Sequence, residues 1–487
     1  MSTAIRLIAR FKAQLASQVV SMGAGVLLMV LLARLLTPTK YGLLSYAIAV
    51  FGVLGVLSKL GIAKSCSRYI AEYKEKDPEQ IPHILRTSLG LNLVAIGVVA
   101  GGLLVGHRHL ARLLDEPEMA SLLLIGALFV SFDALKSYVQ LILQGFEKIH
   151  QAAMINAVDS GSRLVFAVGF VALGLEASGA LVGYVLGFAF ATLLGFWVIY
   201  RQFYSGVSSA DAIENGLRRR IGEYAVPLTA TNTANTLDKR VDIILVGILI
   251  NPVAVTYYTI SKQIVQFVQT PISALGFTLS PTFGAKKADG NIEQAARIYE
   301  EAVTHSLLLY IPAAAGIVLV AEPAVQLVFG DQYSGAVPVL QVLAPFAILQ
   351  SITKVTSNGL DFLGRAKDRA VVKGVTAVLN VGLNILLIPM LGVIGAAIAT
   401  VITYFLYTAS NVYIIHSEFN LRTRLLAGKI AHIVAVTAVM ATTVSVVVAR
   451  ADGWVSLVAV VTLGVVVWGI LSVVTGLLDL KQIASVL

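Results

Sequence analysis

Four ionisable residues, Asp238, Lys239, Arg240 and Asp242, crowd the head of the apolar run "IILVG" in the stretch "TLDKRVDIILVG", Thr236 to Gly247. Two carboxylates and two cations at this spacing can do either of two things. The cations can hold an anion, or the carboxylates can take a cation and release it. Thr231, Asn235, Asp238 and Asp242 recur at intervals of four, three and four, which makes one polar stripe if the segment is helical. Arg240 falls nearly opposite, with Thr229, Thr233 and Thr236, and is expected to meet a neighbouring helix of its own half of the chain.

Other charges inside apolar stretches extend the set. Asp159 and Arg163 are spaced i,i+4 and Asp133 and Lys136 i,i+3, so each reads equally as a self-neutralised local pair or as part of a site. Lys262 has no acidic residue within four positions, which marks it as a candidate cation for a ligand. Lys354 is expected to snorkel to the inner surface, and Arg34 either snorkels or gates the outer mouth. The cations Lys136, Arg163, Lys239, Arg240, Lys262 and Lys354 outnumber the anions Asp133, Asp159, Asp238 and Asp242, which favours an anionic ligand. Phosphate is the anion that Arg and Lys grip best. The candidate ligand-binding residues are therefore Lys239, Lys262, Asn235, Arg34 and Arg163, with Asp238, Asp242 and Asp159 balancing charge or taking a coupling cation.

Elements that could position these residues follow from composition. The chain of 487 residues is 57% hydrophobic and only 13% charged, too little charge to wet a soluble surface of this size. A bilayer core of ~30 Å needs about 20 apolar residues of helix. That ruler gives fourteen candidate spans, from 13–33 and 42–62 through 224–250 and 254–280 to 426–449 and 454–477. The fold class is an all-α integral membrane protein. Four lipid-exposed charges in the seventh span would cost roughly 10–14 kcal/mol, against about 3–6 returned by its Leu, Ile and Val residues. That helix needs protein or water against its charged face.

Lys and Arg cluster at 59–86, 218–220, 286–287, 365–373 and 422–429, whereas the alternate loops hold only Arg34, Lys40, Arg108, Arg112 and Arg450. With an even number of spans this asymmetry places both termini in the cytoplasm. The basic residues sit in gaps between spans rather than on one folded face, so nucleic acid is not an expected partner. Cys66 stands alone, which excludes an intrachain disulfide or a CxxC site, and it is expected to be a small buried or interfacial residue. No GxxxxGK[ST], HExxH or GxSxG motif occurs, and no extramembrane segment is long enough for a nucleotide-binding or catalytic domain. "HRH" at 107–109 lacks further metal ligands, and "GAG" at 23–25 reads as a helix-packing site. No enzyme activity, cofactor or metal is expected.

The chain also repeats itself. "LLARLLTPTKYGLLSYA" from Leu31 resembles "VGILINPVAVTYYTISK" from Val246, which sets Pro38 on Pro252. "LQGFEKIHQAAMINAVDSGSRLVFAVGF" from Leu143 resembles "FLGRAKDRAVVKGVTAVLNVGLNILLIP" from Phe362, and farther on Gly179 falls on Gly395. Two pseudo-symmetric six-helix lobes follow, 1–205 and 206–420 with a cytoplasmic linker at 201–222, and a terminal helix pair at 421–487. Repeats in one orientation are the plan by which transporters rock two bundles about a central site. The small polar residues Ser17 and Ser21 of the first helix match Thr231 and Asn235 of the seventh, so the two stripes are expected to face a shared cavity.

At "LGRAKDRAVVKGVTAVLNVGLNILLIPMLGVIGAAIAT", Leu363 to Thr400, and at "ARLLTPTKYG", the chain resembles the polysaccharide flippases of the MATE-like multidrug/oligosaccharidyl-lipid/polysaccharide (MOP) superfamily. The resemblance spans essentially the whole chain. It implies a monomeric multi-pass protein of the cell membrane whose lobes alternately expose a cationic cavity. It also implies a substrate: a lipid-linked glycan on a polyprenyl or dolichyl (di)phosphate, moved from the cytoplasmic to the outer leaflet among membrane lipids, with or without a coupling cation. By the same resemblance Arg34 matches the arginine that ends the family's first helix, and Asp242 the acidic residue before "ILVG". The alternative is a cation-coupled multidrug or metabolite antiporter of the same superfamily. The glycan, the carrier and the member of Asp238, Lys239 and Arg240 that meets substrate stay open at this level.

Overall fold

A computed structural model of the protein describes residues 3–205, 210–269, 291–449 and 453–478, with side chains from residue 19 onward except at 358 and 362. Lys286, Lys287 and Arg450 lie outside the described residues, as do the side chains of Arg6, Arg10, Lys12 and Ser17. Among the described residues there are helices and no strands. In chain order they are α1 (Thr3–Leu35), α2 (Pro38–Lys59), α3 (Ile62–Lys76), α4 (Ile81–Leu113), α5 (Met119–Gly145), α6 (Ile149–Ala172), α7 (Glu176–Ile199) and α8 (Leu217–Leu249). There follow α9 (Pro252–Val268), α10 (Ile292–Phe329), α11 (Ala336–Phe362), α12 (Ala366–Leu391), α13 (Val393–Phe419), α14 (Thr423–Val448) and α15 (Trp454–Val474).

Eleven of these are long and apolar enough to cross a membrane, and the chain is a multi-pass membrane protein. Three of the fourteen expected spans miss that standard for separate reasons. The described apolar part of α1 is only Val19–Leu35. α8 carries the charges discussed above. α9 runs to Val268, and 270–290 lies outside the described residues. α3 was not among the expected spans. It is amphipathic, burying Ile62, Cys66, Tyr69, Ile70 and Tyr73 and turning its Lys and Glu residues outward. Cys66 is fully buried, and burial pushes its thiol pKa up to about 12.

By packing, the chain divides into two compact units, Met1–Thr256 and Tyr257–Leu487. The lobes 1–205 and 206–420 describe sequence symmetry, which packing does not address, but α8 lies within the first unit. Its stem is the reason: Leu217 and Ile221 are buried in a core shared with Cys66, Ile70 and Tyr73 of α3 and Tyr138 of α5. Ser65 also donates to the Ile221 carbonyl at 2.8 Å. The linker strap at 210–216 is bonded down as well, with Gln80 donating to the Ala212 carbonyl at 3.1 Å and Tyr73 to Glu214 at 2.5 Å.

Turn chemistry sets where α2 begins and ends. Thr37 caps it, accepting from the Lys40 N–H, and Pro38 opens it. It stops at two consecutive left-handed residues, Leu60 (φ 41°) and Gly61 (φ 63°). A Cβ at Gly61 would come within 2.8 Å of the Ala225 carbonyl oxygen and 2.9 Å of Leu228 Cβ, so this elbow is pressed against α8 beside Pro227.

In the second unit α10 packs on α11, α14 and α15, and α13 packs on α11 and α12. Ser261 of α9 donates to the Ala336 carbonyl at 3.0 Å, and the Tyr258 and Thr400 hydroxyls lie 2.8 Å apart. Arg422, just before α14, meets Glu300 of α10 through its backbone N–H (2.7 Å), its Nε (2.9 Å) and its Nη2. The pair anchors the start of the terminal helices to α10.

Candidate functional site

The first unit contains a knot of charge built by five helices. Lys59, the last residue of α2, is bonded to Asp133 of α5 at 2.7 Å. Lys136, one turn further along α5, reaches Asp159 of α6 at 3.1 Å, and Arg163 lies 3.7 Å from the same carboxylate oxygen. The expected i,i+4 pair Asp159–Arg163 forms, whereas the expected i,i+3 pair Asp133–Lys136 is rewired. Asp133 bonds across helices to Lys59, and Lys136 bonds across to Asp159. Residues three apart on α5 thus take their partners from two different helices, Asp133 from α2 and Lys136 from α6.

Arg240 of α8 is a further correction. It meets α2 of the first half rather than a helix of its own half. Its Nε lies 3.2 Å from where a Cβ on Gly52 would stand, and Asp133 acts on it electrostatically. Gly52 makes that approach possible, and Gly55 likewise leaves a carboxylate oxygen of Asp133 at 3.9 Å. The threonines near Arg240 do not line a polar track for it. Thr229 and Thr233 donate back to the carbonyls four residues earlier, both at 2.8 Å, which satisfies them within α8.

Aromatic rings close the knot. Arg163 stands 5.2 Å from the Tyr184 centroid and 5.5 Å from that of Phe188, and Lys136 stands 4.9 Å from Phe188. Phe129 packs edge-on against Phe188 at 5.2 Å and tilted against Phe51 at 5.1 Å. Ring faces attract cations by roughly 0.5–2 kcal/mol each, more where water is excluded. Next along the same helices Gln140 donates to Asn156 at 3.2 Å, and Asn156 to Ser21 of α1 at 3.1 Å.

Three cations, Lys59, Lys136 and Arg163, are therefore ion-paired with two carboxylates, Asp133 and Asp159, and a fourth, Arg240, stands close enough to feel Asp133 electrostatically. Asp159 is 1% exposed, yet its Oδ1 has no hydrogen-bond partner, nor has the buried Arg163 Nε. An unsatisfied buried donor or acceptor costs about 1–3 kcal/mol. A knot carrying excess positive charge and open bonding capacity is suited to accept an anion with several oxygens, which would satisfy Arg163 and relieve the crowding of cations.

The other sequence-derived residues lie along α8 and elsewhere. Asn235 and Lys239 are exposed, Asp238 is half-buried and Asp242 is buried, so the stripe passes from open to closed along the helix. Arg34 is exposed near the end of α1. Lys262 is buried on α9 in the second unit, over the Tyr258 ring at 5.1 Å. Lys354 is exposed. At the "GAG" site nothing among the described residues stands within 4 Å of a Cβ at Gly23 or Gly25. His107 bonds the Leu104 carbonyl and His109 sits beside Arg112, with no cluster of metal ligands among the described residues. Sequence reasoning missed Lys59, which it counted with the loop, and the rings Tyr184 and Phe188. The signal available was "FGVLG" at 51–55, two glycines three apart that leave a shelf on α2.

Comparison with known proteins adds a lineage to this geometry. A family model described as "Polysaccharide biosynthesis protein" matches residues 11–285, and one described as "MatE" matches 227–386. The "Probable low-salt glycan biosynthesis flippase Agl15" of Haloferax volcanii is 22% identical over 80% of this chain and 79% of its own. The "Lipopolysaccharide biosynthesis protein WzxC" of Escherichia coli is 25% identical over 78% of this chain and 73% of its own. Among solved structures, a lipid II flippase MurJ in an inward closed conformation superposes with a TM-score of 0.76, at 14% identity over 96% of this chain and 98% of that one. An inward-facing multidrug resistance MATE transporter of the MOP superfamily gives 0.69, at 17% identity over 82% of this chain and 95% of that one. At such identities these structures speak for the fold alone.

Proposed function

The chain belongs to the polysaccharide biosynthesis protein family, and on that premise we propose that it is a flippase. Its substrate in this reading is a sugar or oligosaccharide linked to a polyprenyl or dolichyl (di)phosphate, moved from the cytoplasmic to the outer leaflet for glycan or polysaccharide assembly. The observation that carries the reading is this knot of charge, in which three cations pair with two carboxylates and a fourth, Arg240, stands beside them.

The mechanism follows from the cost of charge in hydrocarbon. A diphosphate cannot be dragged through lipid, so protein cations must replace its water while the polyprenyl tail stays in the bilayer. Arg163, supported by Lys136, offers a planar donor fork beside an unsatisfied Nε. Lys239 and Lys262 offset further charge, with Asn235 as a neutral donor and Arg34 at the outer end. Asp159, Asp238 and Asp242 hold the cations while no substrate is bound, or take a coupling cation. The headgroup crosses by alternating access of the two repeat-related halves, in a monomer of the cell membrane with both termini cytoplasmic. No bond is made or broken, so the protein is not an enzyme.

Reversing Lys239 and Lys262 to glutamate should abolish glycan export while leaving the protein in the membrane. Normal surface glycan in that double variant would end the proposal. The second reading, a cation-coupled antiporter, is favoured by the MatE match over 227–386. It predicts efflux of a cationic dye driven by an imposed ion gradient, which a dedicated flippase does not support.

A further inference from the structure

One face of α7 is turned to lipid along most of its length. Leu186, Phe190, Leu193, Trp197 and Tyr200 are all exposed, at intervals of four, three, four and three, which sets them in one line on the helix. Glu176, the first residue of α7, is exposed and pairs with Lys40 at 3.2 Å, and so marks one boundary of the apolar layer. At about 1.5 Å per residue, Tyr200 stands ~36 Å from Glu176. A hydrocarbon core of ~30 Å is used up by then, so the line leaves it near Trp197 and ends at headgroup depth. Exposed Trp and Tyr rings belong at that depth.

There α7 changes form. Tyr200–Tyr204 makes a π-helical turn, closed by the Ser205 N–H on the Tyr200 carbonyl at 2.9 Å. Such turns are rare and gather at functional sites. Protein holds one side of it: Phe203 stacks on Phe146 at 4.0 Å, and Gln202 accepts from Gln151 of α6 at 2.9 Å. On the lipid-facing line the Tyr200 and Tyr204 rings stack at 5.9 Å, and the Arg201 guanidinium lies 5.5 Å from the Trp197 ring centroid. Arg86 of α4 joins them. Its Nε donates to the Tyr204 hydroxyl at 2.6 Å, and its guanidinium lies 5.5 Å from that ring. Among the described residues the partners of these two exposed arginines are rings and one hydroxyl, with no carboxylate. A ring face orients a guanidinium without cancelling its charge. Sequence alone counted Arg86 and Arg201 with the loops, whereas each sits on a helical turn beside an aromatic ring.

We infer that the end of α7 and the start of α4 form an interfacial site for the phosphate of an anionic membrane phospholipid. Arg201 and Arg86 hold the phosphate, Trp197 and Tyr200 seat the glycerol region, and the acyl chains lie along Leu193, Phe190 and Leu186. Charge complementarity and the unbroken apolar line argue for this occupant together, since a free phosphate makes no use of the line. The face looks outward, where bulk phospholipid far exceeds any cargo lipid. Basic clusters at this depth are known to select anionic headgroups. The site lies beyond the flippase reading, and no step of the transport mechanism runs through it.

The test uses Trp197 as its own reporter. The full chain carrying Trp454→Phe and Trp468→Phe keeps Trp197 as its single tryptophan. It is reconstituted in phosphatidylcholine vesicles that hold, at equal mole fraction, either phosphatidylglycerol or phosphatidylcholine brominated near the headgroup end of the acyl chains. Brominated phosphatidylglycerol should quench Trp197 more strongly. Arg86→Gln and Arg201→Gln should each lower that preference roughly fivefold, the worth of one arginine at a membrane surface. The double variant should show no preference, and Arg86→Lys with Arg201→Lys should keep it. Equal quenching by the two lipids in the parent protein, or a preference that survives the double variant, overturns the site. So does an equal fall with Arg218→Gln, an exposed arginine outside the cluster, because diffuse surface charge would then explain the effect. Relief of quenching by farnesyl diphosphate at a far lower mole fraction than by unlabelled phosphatidylglycerol would assign the face to cargo and overturn the phospholipid assignment. If Arg86→Gln does not yield monodisperse protein, Arg201→Gln and Arg201→Lys carry the decision.

Discussion

Thr256 Oγ1 donates to the Pro38 carbonyl oxygen at 2.5 Å, and so ties together the starts of two helices, Pro38 of α2 and Pro252 of α9, which match in the sequence alignment of the two halves. The two helix N-termini meet so closely that a Cβ on Gly42 would overlap the Pro252 carbonyl oxygen and crowd the Thr256 hydroxyl. Only glycine fits between these backbones. Gly42→Ala should cost about 1–3 kcal/mol through overpacking, and Thr256→Val about 0.5–1.5 kcal/mol through the lost hydrogen bond. Thermal unfolding of detergent-purified protein reads both. An unaltered midpoint for Gly42→Ala would mean that the junction is looser than described.

Asp159 governs the knot in the first unit. Asp159→Asn leaves Lys136 and Arg163 without their shared carboxylate while removing their competitor for an anion. Stability should fall by about 3–5 kcal/mol, the usual cost of uncovering buried charge, and affinity for pyrophosphate should rise in whatever protein folds. If affinity drops along with stability, Asp159 is a ligand-side residue and not a place-holder.

Glu300 and Arg422 make a different sort of pair. Glu300 is buried, whereas the Arg422 side chain is 55% exposed, so screening discounts the bond. Glu300→Gln should destabilise by about 1–2 kcal/mol, between the buried and the surface cases. The loss should fall on the terminal helices first, as faster hydrogen exchange near 423–430. Uniform exchange across the second unit would argue against a local anchor.

Acid should loosen the linker strap. The hydrogen bond from Tyr73, with help from Arg220 and Lys76, holds the Glu214 carboxyl below its usual range. A carboxylate whose folded pKa is depressed stabilises above its unfolded pKa, and that stabilisation is lost as pH falls through the folded value. The contact's stabilisation is therefore complete above the ordinary glutamate pKa of about 4.3, declines below it, and is gone once pH has fallen through the lower folded value. Protease cleavage at 210–216 should accelerate in wild type as pH drops past that point. In Glu214→Gln the pH-dependent part of that acceleration should vanish, and its persistence would place the acid sensitivity elsewhere.

Much of this architecture was legible because its causes are local. Span length and hydropathy marked the helices, and Pro38 and Pro252 marked where α2 and α9 begin. α3 was legible in principle, since Ile62, Cys66, Tyr69, Ile70 and Tyr73 keep a helical interval. It was hidden by the lysines and arginines around it, which read as loop charge. The ion-pair partners were not legible. Whether Asp133 meets Lys136 or Lys59 depends on the register between α2 and α5, and no interval within one helix encodes that. The glycines at 52 and 55 were the nearest clue, because their missing side chains matter only for what a neighbour places there.

The polar stripe of α8 offers the last test, since its members differ in exposure. Thr231 and Asn235 are exposed, Asp238 is half-buried and Asp242 is 2% exposed. Below the stripe the stem of α8 is fixed at Leu217 and Ile221, and beyond it Gly247 lies against the Tyr46 ring, where a Cβ would overlap the ring. The middle of the helix is thus accessible between two anchored ends. Single cysteines introduced at 235, 238 and 242 into a Cys66→Ser background should react with a membrane-impermeant maleimide in the order 235, 238, 242, with 242 slowest by more than tenfold. Charged residues at mid-helix need water or protein against them, and that order would identify water for the first two positions and protein for the third. Equal protection of all three would place the stripe against protein throughout and remove the aqueous path that the transport mechanism requires.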